Sequence, residues 1–357
     1  MPNNRLLTVL GLAALGTLAY ARWIEPDRLE TRDIPIRLKR LAQAFHGYRI
    51  VHISDIHMGG WMTRARLHNI VTHINALRPD LIAITGDFID RSAGEVTEDL
   101  AGPLKRLQAK DGIVAVLGNH DYYFGANGVR QVLSACEITD LSNRVHPIRR
   151  GDDVLYIAGV DDVVERRDRL DAVLDQLPDD GAAILLAHEP DFADISAATG
   201  RFDLQLSGHT HGGQVRLPLI GSPILPSHGK RYPDGLLRAS EMQVYVNRGL
   251  GMIAPYVLVW FGGSVSAGPG HETIGGVRQA ARRGFLHIEA VGTTMTHARQ
   301  LGDLCRDSLV GFKPGADGEL EEDGAPAIRN PINTTTGVDV RYSYPVAFSG
   351  VVNASTD

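Results

Sequence analysis

Seven short apolar runs constrain this chain more than any other feature: YRIVHIS, DLIAITG, GIVAVLG, DVLYIAG, AAILLAH, FDLQLSG and MQVYVNRG. They are rich in β-branched residues or leucine and end in Gly, Ser, Asp, Asn or His, so they read as buried strands. Between the first two, Leu67, Ile70, Val71, Ile74 and Leu77 recur at helical spacing, and Pro79 stops the helix. Leu100, Leu104 and Leu107 predict another helix before Gly112, and Leu170, Val173, Leu174 and Leu177 a third before Pro178. Alternating strands and helices define an α/β protein. Because the later strands follow one another more closely, a sandwich of two mixed β-sheets flanked by helices is expected rather than one doubly wound sheet.

Composition excludes several kinds of function. The net charge of −6 over 357 residues gives no basic field for gripping nucleic acid. Two cysteines, Cys136 and Cys305, lie far apart without CxxC spacing, which argues against a disulfide framework or a thiolate zinc site. Fourteen histidines are many for this length, and several follow directly on apolar runs.

Five of the runs empty into metal-competent clusters: SDIH at Asp55 and His57, GDFIDR at Asp87, GNHD at Asn119, AHEP at His188, and GHTH at His209 and His211. Strand ends in α/β folds converge on one edge, where ligands bind. A lone DxH or HxH is more often a capped loop than a ligand. All five in this order, each just past a strand, point to one metal cleft. Nitrogen and oxygen ligands without thiolate suit Mn, Fe or Zn better than Ca or Mg.

The order DxH, GDxxD, GNHD, a lone His after a strand, and GHTHGGQ resembles the calcineurin-like metallophosphoesterases, in particular their bacterial membrane-associated branch. The resemblance covers about Trp23 to Met252. It implies two divalent metal ions, with Asp55, His57 and His211 holding one, Asn119, His188 and His209 the other, and Asp87 bridging. A carboxylate between two dications offsets their repulsion. The resemblance makes His120 the group that protonates the leaving oxygen, Asp90 its orienting carboxylate, and Arg91 a phosphate contact; the plain alternatives are a capping aspartate and a solvated arginine. It further implies attack by a hydroxide whose pKa the metals lower, on a phosphodiester or phosphomonoester. Lipid-linked or nucleotide-sugar phosphodiesters of the UDP-diacylglucosamine type are the substrates this branch suggests. A protein phosphatase with the same site and a metal-stabilised membrane scaffold are the alternatives. His52 is read as a core or supporting histidine, His228 as a residue bordering substrate, and Asp121 as a turn carboxylate or an orienter of the GNH turn.

Both ends of the chain stand apart. Leu6–Tyr20 is an apolar run bounded by Arg5 and Arg22, so residues 1–22 are expected to be a membrane anchor, with a signal segment cleaved near Ala19-Tyr20-Ala21 or a buried helix as alternatives. The expected location is the cell membrane, with the side left open. Residues 23–252 form the expected catalytic domain. Residues 253–357, with GGSVSAGPGHETIGG, RQAARRG and DGELEEDG, are expected to be a C-terminal extension containing strand-like pieces such as FLHIEAV and VRYSYPVAF.

Overall fold

A computed structural model describes residues 4–216, 221–254, 259–260, 286–293 and 350–351. In chain order its elements are α1 (Asn4–Trp23), β1 (Leu29–Ile36), β2 (Tyr48–Ile53), α2 (Arg64–Ala76), β3 (Leu81–Thr85), α3 (Ala93–Leu104), β4 (Ile113–Val116), α4 (Asn119–Phe124) and α5 (Ala126–Ala135). There follow β5 (Ile138–Asp140), β6 (Arg144–Arg150), β7 (Asp153–Gly159), α6 (Leu170–Leu174), β8 (Ala182–Leu186), α7 (Ala193–Ala198), β9 (Leu204–Ser207) and β10 (Val215–Arg216). The last are β11 (Gly235–Ala239), β12 (Met242–Val246), β13 (Val259–Trp260), β14 (Leu286–Thr293) and β15 (Gly350–Val351).

Apart from β10 and β13, which form a two-stranded parallel pair, these strands build two mixed sheets. One runs β1-β14-β2-β3-β4-β5, with β15 also on β14, and the other β11-β12-β9-β8-β7-β6. In each, parallel strands fill the middle and an antiparallel strand closes an edge. Alternate residues of one strand serve two cores, which is why the runs carry so little polar alternation. Leu81 and Ala83 of β3 face Ile184, Leu186 and Leu206 between the sheets, while Ile82 and Ile84 pack outward with Leu67, Val71 and Leu100 of α2 and α3. Ala183 and Leu185 of β8 face outward with Val173 and Phe192. The result is the expected α/β sandwich, helices outside and sheets inside. Helix α2 starts where Thr63 accepts a hydrogen bond from Arg66 N, and it buries Leu67, Ile70, Val71 and Ile74 as its spacing predicts. Helix α3 stops at Leu104, short of the predicted Leu107, and α6 is a single short turn of chain ending at Leu174.

The ends differ in what can be described. Helix α1 covers the apolar run, but Leu12, Leu15 and Leu18 are 64%, 64% and 57% exposed, so that face is not packed in a core. Among the described residues, no helix is long and apolar enough to cross a membrane. FLHIEAV supplies β14, which lies antiparallel to β1 and parallel to β2, so the first sheet takes in a strand from beyond residue 252. GGSVSAGPGHETIGG, RQAARRG, DGELEEDG, VRYSYPVAF and Cys305 lie outside the described residues.

Candidate metal centre

The parallel strands of both sheets end along one edge. Asp55 and His57 follow β2, Asp87 follows β3, Asn119 opens α4 after β4, His188 follows β8, and His209 and His211 follow β9. All seven are buried. The loops after β2 and β3 are zipped together by Asp55 N–H to Gly86 O (3.0 Å), His57 N–H to Asp87 O (3.0 Å) and Met58 N–H to Phe88 O (2.9 Å). Asp55, His57, Asp87, His209 and His211 all adopt positive φ, between 49° and 70°. Left-handed backbone at a non-glycine residue is sparsely populated, and its clustering at one site marks a place where function sets the geometry. Glycines fill the remaining gaps: a Cβ on Gly118 would collide with Asp87 Oδ1 and His188 Nε2, and one on Gly208 with Ser54 and Asp55. The strands ending at Asp87, Asn119 and His209 therefore need the glycine that precedes each of these residues, whereas Ser54 and Ala187 stand before Asp55 and His188.

Two triads of donor atoms face each other, Asp55–His57–His211 and Asp87–His188–His209. Asp87 Oδ2 lies 3.5 Å from His57 Nε2 and 3.2 Å from His188 Nε2, so one carboxylate oxygen addresses both groups. Within the triads, His57 Nε2 stands 3.0 Å from His211 Nε2, and His188 Nε2 stands 3.2 Å from His209 Nδ1. His188 Nδ1 donates to Thr85 O (2.7 Å) and His209 Nε2 to Ser227 O (2.8 Å). With those protons placed, the facing nitrogens present lone pairs to one another, an arrangement that a cation between them satisfies. Asn119 Oδ1 is buried without a hydrogen-bond partner, again as a ligand oxygen would be. The residues present thus fit divalent ions, and their N/O composition without sulfur suits a borderline metal.

The electrostatics agree. Burial alone would raise the Asp87 carboxyl, but His188, with His57 and His120, outweighs it and holds Asp87 well below the usual range. Burial would lower His188, yet Asp87 and Asp55 pull it well above an ordinary imidazole. That pull on a proton is the pull the site exerts on any cation. His209 and His211 are pushed down to about 4, chiefly by burial, and so stand neutral and ready to coordinate.

His120 sits beside the triads. Its Nδ1 is 3.0 Å from Asp90 Oδ1, its backbone N–H donates to Asp87 Oδ1 (2.9 Å), and its ring stands edge-on to His57 with centroids 4.7 Å apart. His57, Asp90 and His120 form a third group with metal-like spacing. His57 Nδ1 is 3.7 Å from Asp90 while its Nε2 already faces Asp87 and His211, so the Asp90–His120 contact is better read as a hydrogen bond. Burial lowers the His120 pKa, but the Asp90 hydrogen bond and the Asp87 charge raise it above its ordinary value overall. Arg91 is exposed and lays its stem along Gly59. His52 is a core histidine, held neutral at about 3 by burial and bonded to Thr85 Oγ1 at 2.8 Å. His228 lies on an exposed loop, where its carbonyl accepts from Asp191 N–H.

Some contributors were underweighted by sequence reasoning. Asp121, fully buried, accepts from Phe88 N–H (2.8 Å), Ile89 N–H (3.3 Å) and Gly118 N–H (2.9 Å), pinning the Asp87 loop to the Asn119 loop. Tyr123 and Phe124 flank the His120 ring at 5.7 and 5.8 Å. Their positions three and four residues after His120, on the same short helix, were the available signal.

A cleft of buried histidines, carboxylates and an amide at the ends of strands from two sheets defines a metal-dependent hydrolase. Residues 48–213 match the calcineurin-like phosphoesterase family. An uncharacterised metallophosphoesterase of Bacillus subtilis, YkuE, is 36% identical over 68% of this chain and 85% of its own length. The chain belongs to the calcineurin-like phosphoesterase family and is a hydrolase of phosphoester bonds. A Danio rerio transmembrane protein with a metallophosphoesterase domain is 34% identical over 68% of this chain, which spans 58% of that protein. The UDP-2,3-diacylglucosamine pyrophosphatase LpxG of Chlamydia trachomatis is 28% identical, covering 69% of this chain and 90% of its own.

Proposed function

We propose that this chain hydrolyses a phosphodiester, lipid-linked or nucleotide-sugar in type, with two divalent metals that Asp87 would help to hold together. The observation that carries this is Asp87 Oδ2, set between His57 Nε2 and His188 Nε2 where the two triads meet. Asp55, His57 and His211 would hold one ion, and Asn119, His188 and His209 the other. Bound ions would lower the pKa of a coordinated water and offset charge on the phosphoryl oxygens. The remaining work falls to side chains. Because Asp90 occupies His120 Nδ1, Nε2 is the atom left to give a proton to the departing oxygen. Tyr123 and Phe124 flank that ring, and exposed Arg91 would meet a phosphate oxygen from the solvent side.

Two features support a lipid-linked substrate: the exposed leucines of α1 and the likeness to LpxG, named for a diacylated sugar nucleotide. On this reading residues 1–22 associate the enzyme with the membrane and residues 23–252, completed by β14, form the catalytic unit. The test is a chelation and reconstitution series on purified protein. Chelated protein should be inactive on an aryl phosphodiester, and Mn, Fe or Zn should restore activity with close to two ions per chain. Activity retained without metal, or one ion at saturation, overturns the two-metal reading. A parallel screen of a UDP-linked diacylated sugar, simple phospholipids and phosphopeptides assigns the substrate. Turnover confined to phosphopeptides overturns the phosphodiester reading.

A further inference from the structure

A cavity of about 400 Å³ opens where α1 meets the loop after β2, lined by Arg22, Trp23, Asp27, Trp61, Thr63 and Arg66. Arg66 is fixed there. It donates to Asp27 Oδ1 (2.8 and 3.0 Å) and to Trp61 O (2.8 Å), and its guanidinium lies 4.4 Å over the Trp61 ring. Arg22, in the last turn of α1, is exposed, and its side chain makes no hydrogen bond or ion pair with another described residue. Two arginines against one aspartate leave the cavity with a net positive charge. An anion there would meet one rigid cation and one free to reach it.

The apolar surface is continuous with this cavity. At about 100° per residue, Leu12, Leu15, Leu18, Arg22 and Trp23 fall within about 140° of one another around α1. The three leucines are exposed, Trp23 is 69% exposed, and Ile24 follows at 52%. Leucines along a helix face, ending in arginine and tryptophan, match a bilayer boundary, where indole rings sit at headgroup level.

We propose that this cavity receives the anionic phosphate headgroup of a bilayer phospholipid, with the leucine face of α1 set into the acyl boundary beside it. The inference rests on the membrane part of the proposed function and not on its chemistry. The loop that forms one wall follows His57 within a few residues, so a bilayer docked there would lie on the metal-centre side of the first sheet. A lipid-linked substrate would then reach the metals without leaving the membrane.

The test is cosedimentation of full-length protein with vesicles of phosphatidylcholine, with or without phosphatidylglycerol. Wild type should bind the phosphatidylglycerol vesicles more tightly, and added salt should reduce the difference. Arg22→Ala should weaken that binding about fivefold, the usual contribution of one interfacial cation, and Arg22→Lys should largely restore it. Brominated phosphatidylglycerol should quench tryptophan emission, an effect reduced in Trp23→Phe to the share that Trp61 of the cavity wall contributes. Turnover of a soluble aryl phosphodiester is measured on the same preparations. If it is unchanged while Arg22→Ala binds like wild type, the headgroup site is wrong and the hydrolase reading stands. Equal, salt-resistant binding to both vesicle types, as an inserted spanning helix would give, also overturns the proposal, as does failure to bind either.

Discussion

Replacing His120 with alanine separates the proposed proton donor from the candidate metal ligands that surround it. The ring is held by Asp90 at 3.0 Å and flanked by Tyr123 and Phe124, so its loss removes a positioned group rather than a mobile one. A positioned acid contributes roughly 10²–10⁴ in rate, equivalent to about 3–5 kcal/mol of barrier. Asp90→Asn weakens one charge-assisted hydrogen bond of about 1.5–3 kcal/mol, a loss of roughly ten- to a hundredfold if expressed in the transition state. Asp90 also helps raise the His120 pKa, so the two variants differ in pH dependence. The donor works while protonated, and activity falls as pH rises through its pKa. Asp90→Asn should move that alkaline limb to lower pH, and His120→Ala should abolish it. The assay is steady-state hydrolysis of a nitrophenyl and an alkyl diester across pH, with metal counted in each sample. The loss should be large for the alkyl ester and small for nitrophenol, which departs without a proton. Equal losses on both esters, or an emptied metal site in His120→Ala, would refute the assignment.

Asp87→Asn should lower metal content and turnover more than His211→Ala, because its oxygen addresses both triads; elemental analysis beside kcat decides this. Asp121→Asn sets an amide N–H₂ against a buried backbone N–H on one side of its fork, costing about 1–3 kcal/mol and loosening metal affinity; thermal unfolding with and without metal measures both. Gly208→Ala places a methyl on Ser54 and Asp55, so soluble protein should lose metal and melt lower, whereas Gly94→Ala, in helix α3 with its nearest neighbour at 3.9 Å, should cost far less. His52, buried and held neutral at about 3, is depressed below its unfolded value, so the stability it contributes is present above pH 6.5 and lost as pH falls toward 3. Denaturant midpoints across that window should flatten in His52→Gln.

What could be read in the chain follows from local rules. Each of the seven apolar runs forms a strand, because a segment buried on both faces shows its character residue by residue. Strands β1, β6 and β11 were not foreseen. They are edge strands, their sequences LETRDIPI, RVHPIRR and GLLRA carry charge, and β6 includes a proline that an edge strand tolerates. Helix α5 was missed as well, since Ala126–Ala135 is mostly small and polar outside Val129, Val132 and Leu133. Helices α3 and α6 ended earlier than their leucine spacing suggested, with Leu107 and Leu177 buried just beyond the last turn. Periodicity reports burial, and burial continues past a helix end.

The candidate ligands were also legible, because each motif directly follows an apolar strand run, and in GDFIDR, GNHD and GHTH a glycine turns the chain at the strand end. What the sequence alone determined is which residues can coordinate and where along the chain they fall. Which triad each histidine joins came from the family resemblance and not from spacing, since His57 and His211 lie far apart in the chain and meet only when β2 and β9, from different sheets, end at one edge. Spacing likewise gave Asp121 no distinction from an ordinary turn carboxylate. Only packing brought its two oxygens against N–H groups of two different loops. The N-terminal run was plain from hydropathy, but whether its leucines face protein or solvent depends on what folds against α1. Composition within a segment is a local property, whereas a ligand sphere is built from contacts between segments, and only the tertiary structure sets those.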